Sequence, residues 1–69
     1  SYISQINALS RREVAGSIHA YYEVWRDLEV PPEGKRELAR AIVKKVQEAG
    51  RESQSRKKSW YQELLDSLQ

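Results

Sequence analysis

Two consecutive prolines, Pro31 and Pro32, separate two long stretches of helical periodicity. They constrain the fold more than any other feature of the chain. Pro31 pushes Val30 out of the helical region, so the first stretch must end close to Leu28 or Glu29. Pro32 suits the first turn of the next helix, where the N–H it lacks would have no partner. Glu33 adds negative charge at that N-terminus, which the helix dipole favours. A connection this short makes the two helices antiparallel neighbours.

The first stretch encodes its own start. Ser10 and Glu13 have the spacing of a capping box, and Leu9 and Val14 that of a hydrophobic staple. Val14, Ile18, Tyr21, Trp25 and Leu28 then recur at alternating intervals of four and three. Ala15, Tyr22 and Val24 widen that stripe to nearly half the circumference, more than one antiparallel neighbour requires. Gly16 lies nearly opposite, where it reads as a surface glycine or as a point of close approach for another helix. In the second stretch Leu38, Ile42, Val46 and Ala49 form the apolar line, flanked by Ala39, Val43 and Ala41. Lys44 and Lys45 lie towards its C-terminal end, and Gly50 stands where a left-handed capping glycine is expected. These patterns predict helices over 11–29 and 32–49.

Two shorter elements flank this hairpin. Tyr2, Ile3, Ile6 and Leu9 are spaced for a helix over 2–9, too short to be stable alone. It must dock, either on its own bundle or, as an arm, on a partner. Near the other end Trp60, Tyr61, Leu64, Leu65 and Leu68 predict an amphipathic helix over 55–68. Between Arg51 and Ser59 there is no apolar residue, and the apolar direction swings round across the gap, so a break or hinge is expected there. Ser59 and Gln62 have the spacing of a second capping box. The expected fold is all-α: one domain over 1–69, built on an antiparallel helical hairpin with a shorter C-terminal helix. Its packed or interface core is expected at Val14, Ile18, Tyr21, Tyr22, Trp25, Leu28, Leu38, Ile42, Val46, Trp60, Tyr61, Leu64 and Leu68.

A chain of 69 residues buries only about 60% of its unfolded surface. It has no cysteine, so disulfides and thiolate metal sites are excluded as staples. One histidine leaves no protein-only zinc site either. Helix packing or oligomerisation must supply the stability. The hydrophobic share of 39% is too high for a disordered chain. No apolar run approaches the length of a membrane span, so no membrane partner is expected, and a cytoplasmic location fits the absence of cysteine.

Catalysis finds little support. His19 falls on the polar arc of its helix between Arg12 and Glu23, and reads as an exposed histidine. His19 and Glu23 are one turn apart, but two ligands without a third make no metal site. Three isolated glycines form no phosphate loop. No enzyme activity, cofactor or small-molecule substrate is expected. Binding is better supported. The broad face of Ser10–Leu28 and the C-terminal apolar face suggest a helical protein-interaction or regulatory module that self-associates as a dimer or binds another protein. Arg51, Arg56, Lys57 and Lys58 lie within eight residues, just ahead of Trp60 and Tyr61. Arg36, Arg40 and Lys44 line the face opposite the second apolar line. These charges suggest the alternative, a small DNA- or RNA-binding regulatory protein. A third reading is an accessory subunit or excised domain of a larger complex.

Overall fold

The computed structural model describes all 69 residues and contains five helices and no strand. They are α1 (Tyr2–Ala8), α2 (Arg11–Asp27), α3 (Pro32–Glu48), α4 (Glu52–Ser55) and α5 (Ser59–Ser67). The fold is all-α, with α2 and α3 as an antiparallel hairpin and a short helix at the C-terminal end. The start of α2 is as encoded: the Ser10 hydroxyl accepts from the Glu13 amide at 3.2 Å, and the Glu13 carboxylate accepts from the Ser10 amide at 2.8 Å. That second bond holds the Glu13 carboxyl below its ordinary range.

The two prolines shape the turn, but α2 stops earlier than 29. Leu28 is already extended, with ψ at 128°. The reason lies in α3. Lys35 turns back and donates its ammonium to the carbonyls of Trp25 and Arg26, which a continuing helix would have used itself. In return the Trp25 indole donates to the Lys35 carbonyl at 2.8 Å, and the ammonium lies 4.5 Å from the indole centroid. Pro32 occupies the first turn of α3, with no side-chain cap needed before it.

α3 is the central helix. Leu38, Ala39, Ala41, Ile42, Val43, Val46 and Ala49 are all buried, leaving only a narrow arc to solvent. α1, α2, α4 and α5 all pack against it. α1 lies on its own bundle rather than reaching out as an arm: Ile6 is fully buried, and Lys45 donates to the carbonyls of Asn7 and Leu9 at 3.0 and 3.2 Å. Tyr21 adds a bond from its hydroxyl to the Gln5 carboxamide at 3.1 Å. The broad apolar face of α2 is therefore met within the chain by α1, α3 and α5. Its width, which suggested a second copy, does not require one. The radius of gyration is 10.9 Å, against about 11 Å for a single packed domain of this length.

The helix expected over 55–68 begins only at Ser59, and the break expected between Arg51 and Ser59 is present. Gly50, at φ +71°, ends α3 in a Schellman motif: the Arg51 amide donates to the Val46 carbonyl at 3.1 Å and the Gly50 amide to Gln47 at 3.0 Å. A single turn of helix, α4, follows and stops at Ser55. Arg56–Lys58 form a turn before α5. The second capping box does not form, because Lys58, not Ser59, is the N-cap residue of α5. Gln62 instead donates to the Arg56 carbonyl at 3.1 Å.

Three substitutions test this packing. Trp25→Ala should cost about 3–5 kcal/mol, a large share of the roughly 3–10 kcal/mol available to a chain of this length. Its thermal midpoint should fall by more than about 10 °C, and an unchanged melting curve refutes the placement of Trp25 in the core. The two glycines should respond with opposite signs. At Gly16 an added methyl meets nothing within 4 Å, so Gly16→Ala should stabilise by about 0.5–1 kcal/mol. Gly50→Ala should destabilise by roughly 1–2 kcal/mol, because an L side chain is strained at that φ. Urea midpoints of both variants decide the matter.

Candidate functional site

α4 and the turn after it fold the basic segment back against α2. The result is an open cleft of about 440 Å³ between the two. Ala15, Ile18 and His19 of α2 form one wall. Arg51, Gln54, Ser55, Lys58 and Trp60 form the other. Arg51 and Lys58 are seven residues apart in sequence, and only the turn of α4 brings them to one concavity. Neither has a carboxylate within 4.0 Å; the ion-paired bases of the chain are Arg26, Lys45 and Arg56.

An aromatic cluster backs the cleft. The His19 and Trp60 rings meet edge to face with centroids 5.7 Å apart. Tyr22 lies 5.4 Å from His19 and 5.8 Å from Trp60, and Tyr61 meets Trp60 edge to face at 5.7 Å. Two carboxylates hold the cluster. Glu63 accepts from the Tyr22 hydroxyl at 2.6 Å, and this bond raises the affinity of Tyr22 for its proton. Glu52 accepts from Gln47 at 2.9 Å, from the Tyr61 hydroxyl at 3.0 Å and from Arg56 at 3.3 Å. The bonds from Gln47 and Tyr61 hold its carboxyl below the ordinary range. Glu52 therefore ties the end of α3, the turn and α5 together. Its charge is spent on the scaffold.

The seven basic residues singled out from sequence divide into three groups. Arg51 and Lys58 line the cleft. Lys57 is exposed in the turn beside it, and Arg56 is turned to Glu52. Arg36, Arg40 and Lys44 occupy the outer arc of α3, exposed and without a carboxylate within 4.0 Å, and they do not line the cleft. Among the aromatic and aliphatic residues assigned to the core, Val14, Ile18, Tyr22, Trp25, Leu38, Ile42, Val46, Tyr61 and Leu64 are buried. Tyr21, Leu28, Trp60 and Leu68 are half-buried against them. Trp60 is thus both a packing residue and part of a wall open to solvent.

Sequence reasoning missed Ala15, His19, Gln54 and Ser55 as members of a site. His19 is exposed, as its position on the helix implied, and its Nδ1 is 3.7 Å from Glu23. Its proximity to Trp60 arises from the crossing of α5 over α2, for which no local pattern gives a signal. Nowhere do three His, Cys, Asp or Glu side chains converge as a metal site would need. No helix is long and apolar enough to cross a membrane.

The Tyr61–Glu52 tie makes a prediction on the alkaline side. Burial, with the bond to Glu52 and its charge adding to it, pushes the Tyr61 hydroxyl from the ordinary 10.0 up to about 12. A group whose folded value is raised stabilises fully below its unfolded value and loses that contribution as pH climbs through the folded one. The thermal midpoint should therefore fall between pH 10 and about 12 more steeply in the natural chain than in Tyr61→Phe. Parallel curves for the two proteins would refute the role given to this hydroxyl.

Comparison with protein-family models, curated proteins and solved structures finds no match to this chain.

Proposed function

We propose that this chain is a non-catalytic nucleic-acid-binding module that uses the basic 51–58 segment. The observation that carries the reading is the cleft in which Arg51 and Lys58, both free of carboxylate partners, stand beside an open-walled tryptophan. Phosphate contacts by unpaired cations supply most nonspecific affinity for nucleic acid. Aromatic rings beside such cations give bases a surface to stack on. Within 51–58 four bases stand against the single carboxylate of Glu52, which pairs with Arg56, so the segment stays net positive. Glu52 and Glu63 accept hydrogen bonds from Tyr61 and Tyr22, and Glu23 lies beside His19 and Arg26. Nothing in the cleft pairs a nucleophile with a positioned base, which favours binding over catalysis.

A second reading, a self-associating or protein-binding module, rests on a different feature. Tyr2 and Val30 are 42% and 38% exposed and flank a small apolar groove formed with Ile3, Leu28 and Leu38. This reading ranks lower because two large side chains supply little of the roughly 800 Å² per partner of a standard interface.

Fluorescence anisotropy with mixed-sequence DNA and RNA separates the two. Binding should weaken with salt at a slope of about −2 to −3 in log–log form, as expected for three phosphate contacts by Arg51, Lys57 and Lys58. The double reversal Arg51→Glu, Lys58→Glu should abolish binding and leave the helical circular-dichroism signal intact. Binding that survives both the reversal and raised salt refutes this assignment. Light scattering that shows a dimer, with no nucleic-acid binding, selects the second reading.

A further inference from the structure

We propose that the cleft between α2 and the α4–α5 turn selects single-stranded nucleic acid by receiving one unpaired base, with the phosphates on either side held by Arg51 and Lys58. This rests on the nucleic-acid reading and deepens it. Duplex DNA is read by convex elements, usually a helix long enough to lie in the major groove. Here Arg51 and Lys58 instead line a hollow, apart from the convex basic line of Arg36, Arg40 and Lys44 on α3. α4 has only four residues, and the turn after it bends back towards α2 rather than presenting a helix face outward. A hollow fits something that projects, and an unstacked base projects from a single strand.

The volume and the lining agree with that occupant. At about 440 Å³ the cleft is within the usual range for small-molecule-sized pockets, about 300–1,000 Å³. Its apolar contacts are Ala15, Ile18 and the half-buried Trp60, which suit the flat face of a base. Trp60 is held in place by His19, Tyr22 and Tyr61, so stacking on it requires little ordering. Gln54 brings a carboxamide, donor and acceptor together, and His19 a ring nitrogen; both suit the polar edge of a base. Ala15 keeps the α2 wall shallow. A larger residue there would project into the cleft.

The two tryptophans differ in a way that makes the test direct. Trp25 is buried, with its indole N–H given to Lys35, whereas Trp60 lines the cleft. The experiment is a titration of the nitrogen-15-labelled protein with a short oligothymidylate, and separately with a duplex hairpin carrying the same number of phosphates. The single strand should bind about tenfold or more tightly than the hairpin, one stacked base being worth that much. It should shift the Trp60 indole signal and the amides of Gln54 and His19, and leave the Trp25 indole unmoved. Trp60→Leu should lose most of that preference. Because Trp60 also packs, the exposed variants Gln54→Ala and Ala15→Leu provide a second route, and Ala15→Leu should weaken single-strand binding about tenfold with its melting curve unchanged. Equal or tighter binding of the hairpin, still lost on reversal of Arg51 and Lys58, overturns this inference and leaves the nucleic-acid reading standing. Failure of both oligonucleotides to bind overturns both.

Discussion

The structure depends on burying α3 from several sides at once. A chain of 69 residues without disulfides has little core to spend, and a two-helix hairpin alone would leave most of each helix wet. Here α1, α2, α4 and α5 all reach the same central helix, so each apolar side chain of α3 has neighbours. The small residues Ala39, Ala41 and Ala49 make this possible, because they let flanking elements approach without opening gaps. The alternation of bulky and small residues around α3 is therefore what turns a hairpin into a domain.

Polar side chains then settle how the elements meet. Lys35 and Lys45 each bridge from α3 to carbonyls at the end of another helix, satisfying groups that would otherwise be left without partners. Arg11 does the same for α3, donating to the Ala49 carbonyl at 3.2 Å. In each case a long cationic side chain delivers its charge to a helix C-terminus, where the dipole favours it. Glu52 plays the complementary part by gathering Gln47, Arg56 and Tyr61 at the corner where the chain reverses. The cleft exists because that corner is held. The segment from Arg51 to Lys58 is anchored at one end by the cap of α3 and at the other by the buried Tyr61 and Leu64 of α5.

Much of the helical layout was legible in the residues. The capping box of Ser10 and Glu13, the proline stop, the left-handed Gly50 and the apolar lines of α2 and α3 are all local patterns with local causes. The ends of α2 and α5 were less so. α2 stops at Asp27 because Lys35 takes the carbonyls that would have extended it, a contact between elements that meet only after the turn is made. α5 starts at Ser59, after the turn of Arg56–Lys58, and Gln62 bonds the Arg56 carbonyl across that turn. Both ends involve side-chain hydrogen bonds to backbone carbonyls across a turn, and periodicity does not register them.

The candidate site divides along the same line. Residue order alone placed Arg51, Lys57, Lys58 and Trp60 near one another, because a run of charges beside an aromatic is visible at a glance. It also pointed to α2 and α3 lying side by side, since the two prolines end one helix and open the next within a short connection. The pairing of His19 with Trp60, the diversion of Arg56 to Glu52 and the hollow between α2 and α4 arose only when α5 was laid across the bundle. Helical spacing specifies which face of each helix is apolar. It does not specify the angle or register at which two such faces cross, because that depends on how particular side chains interdigitate in three dimensions.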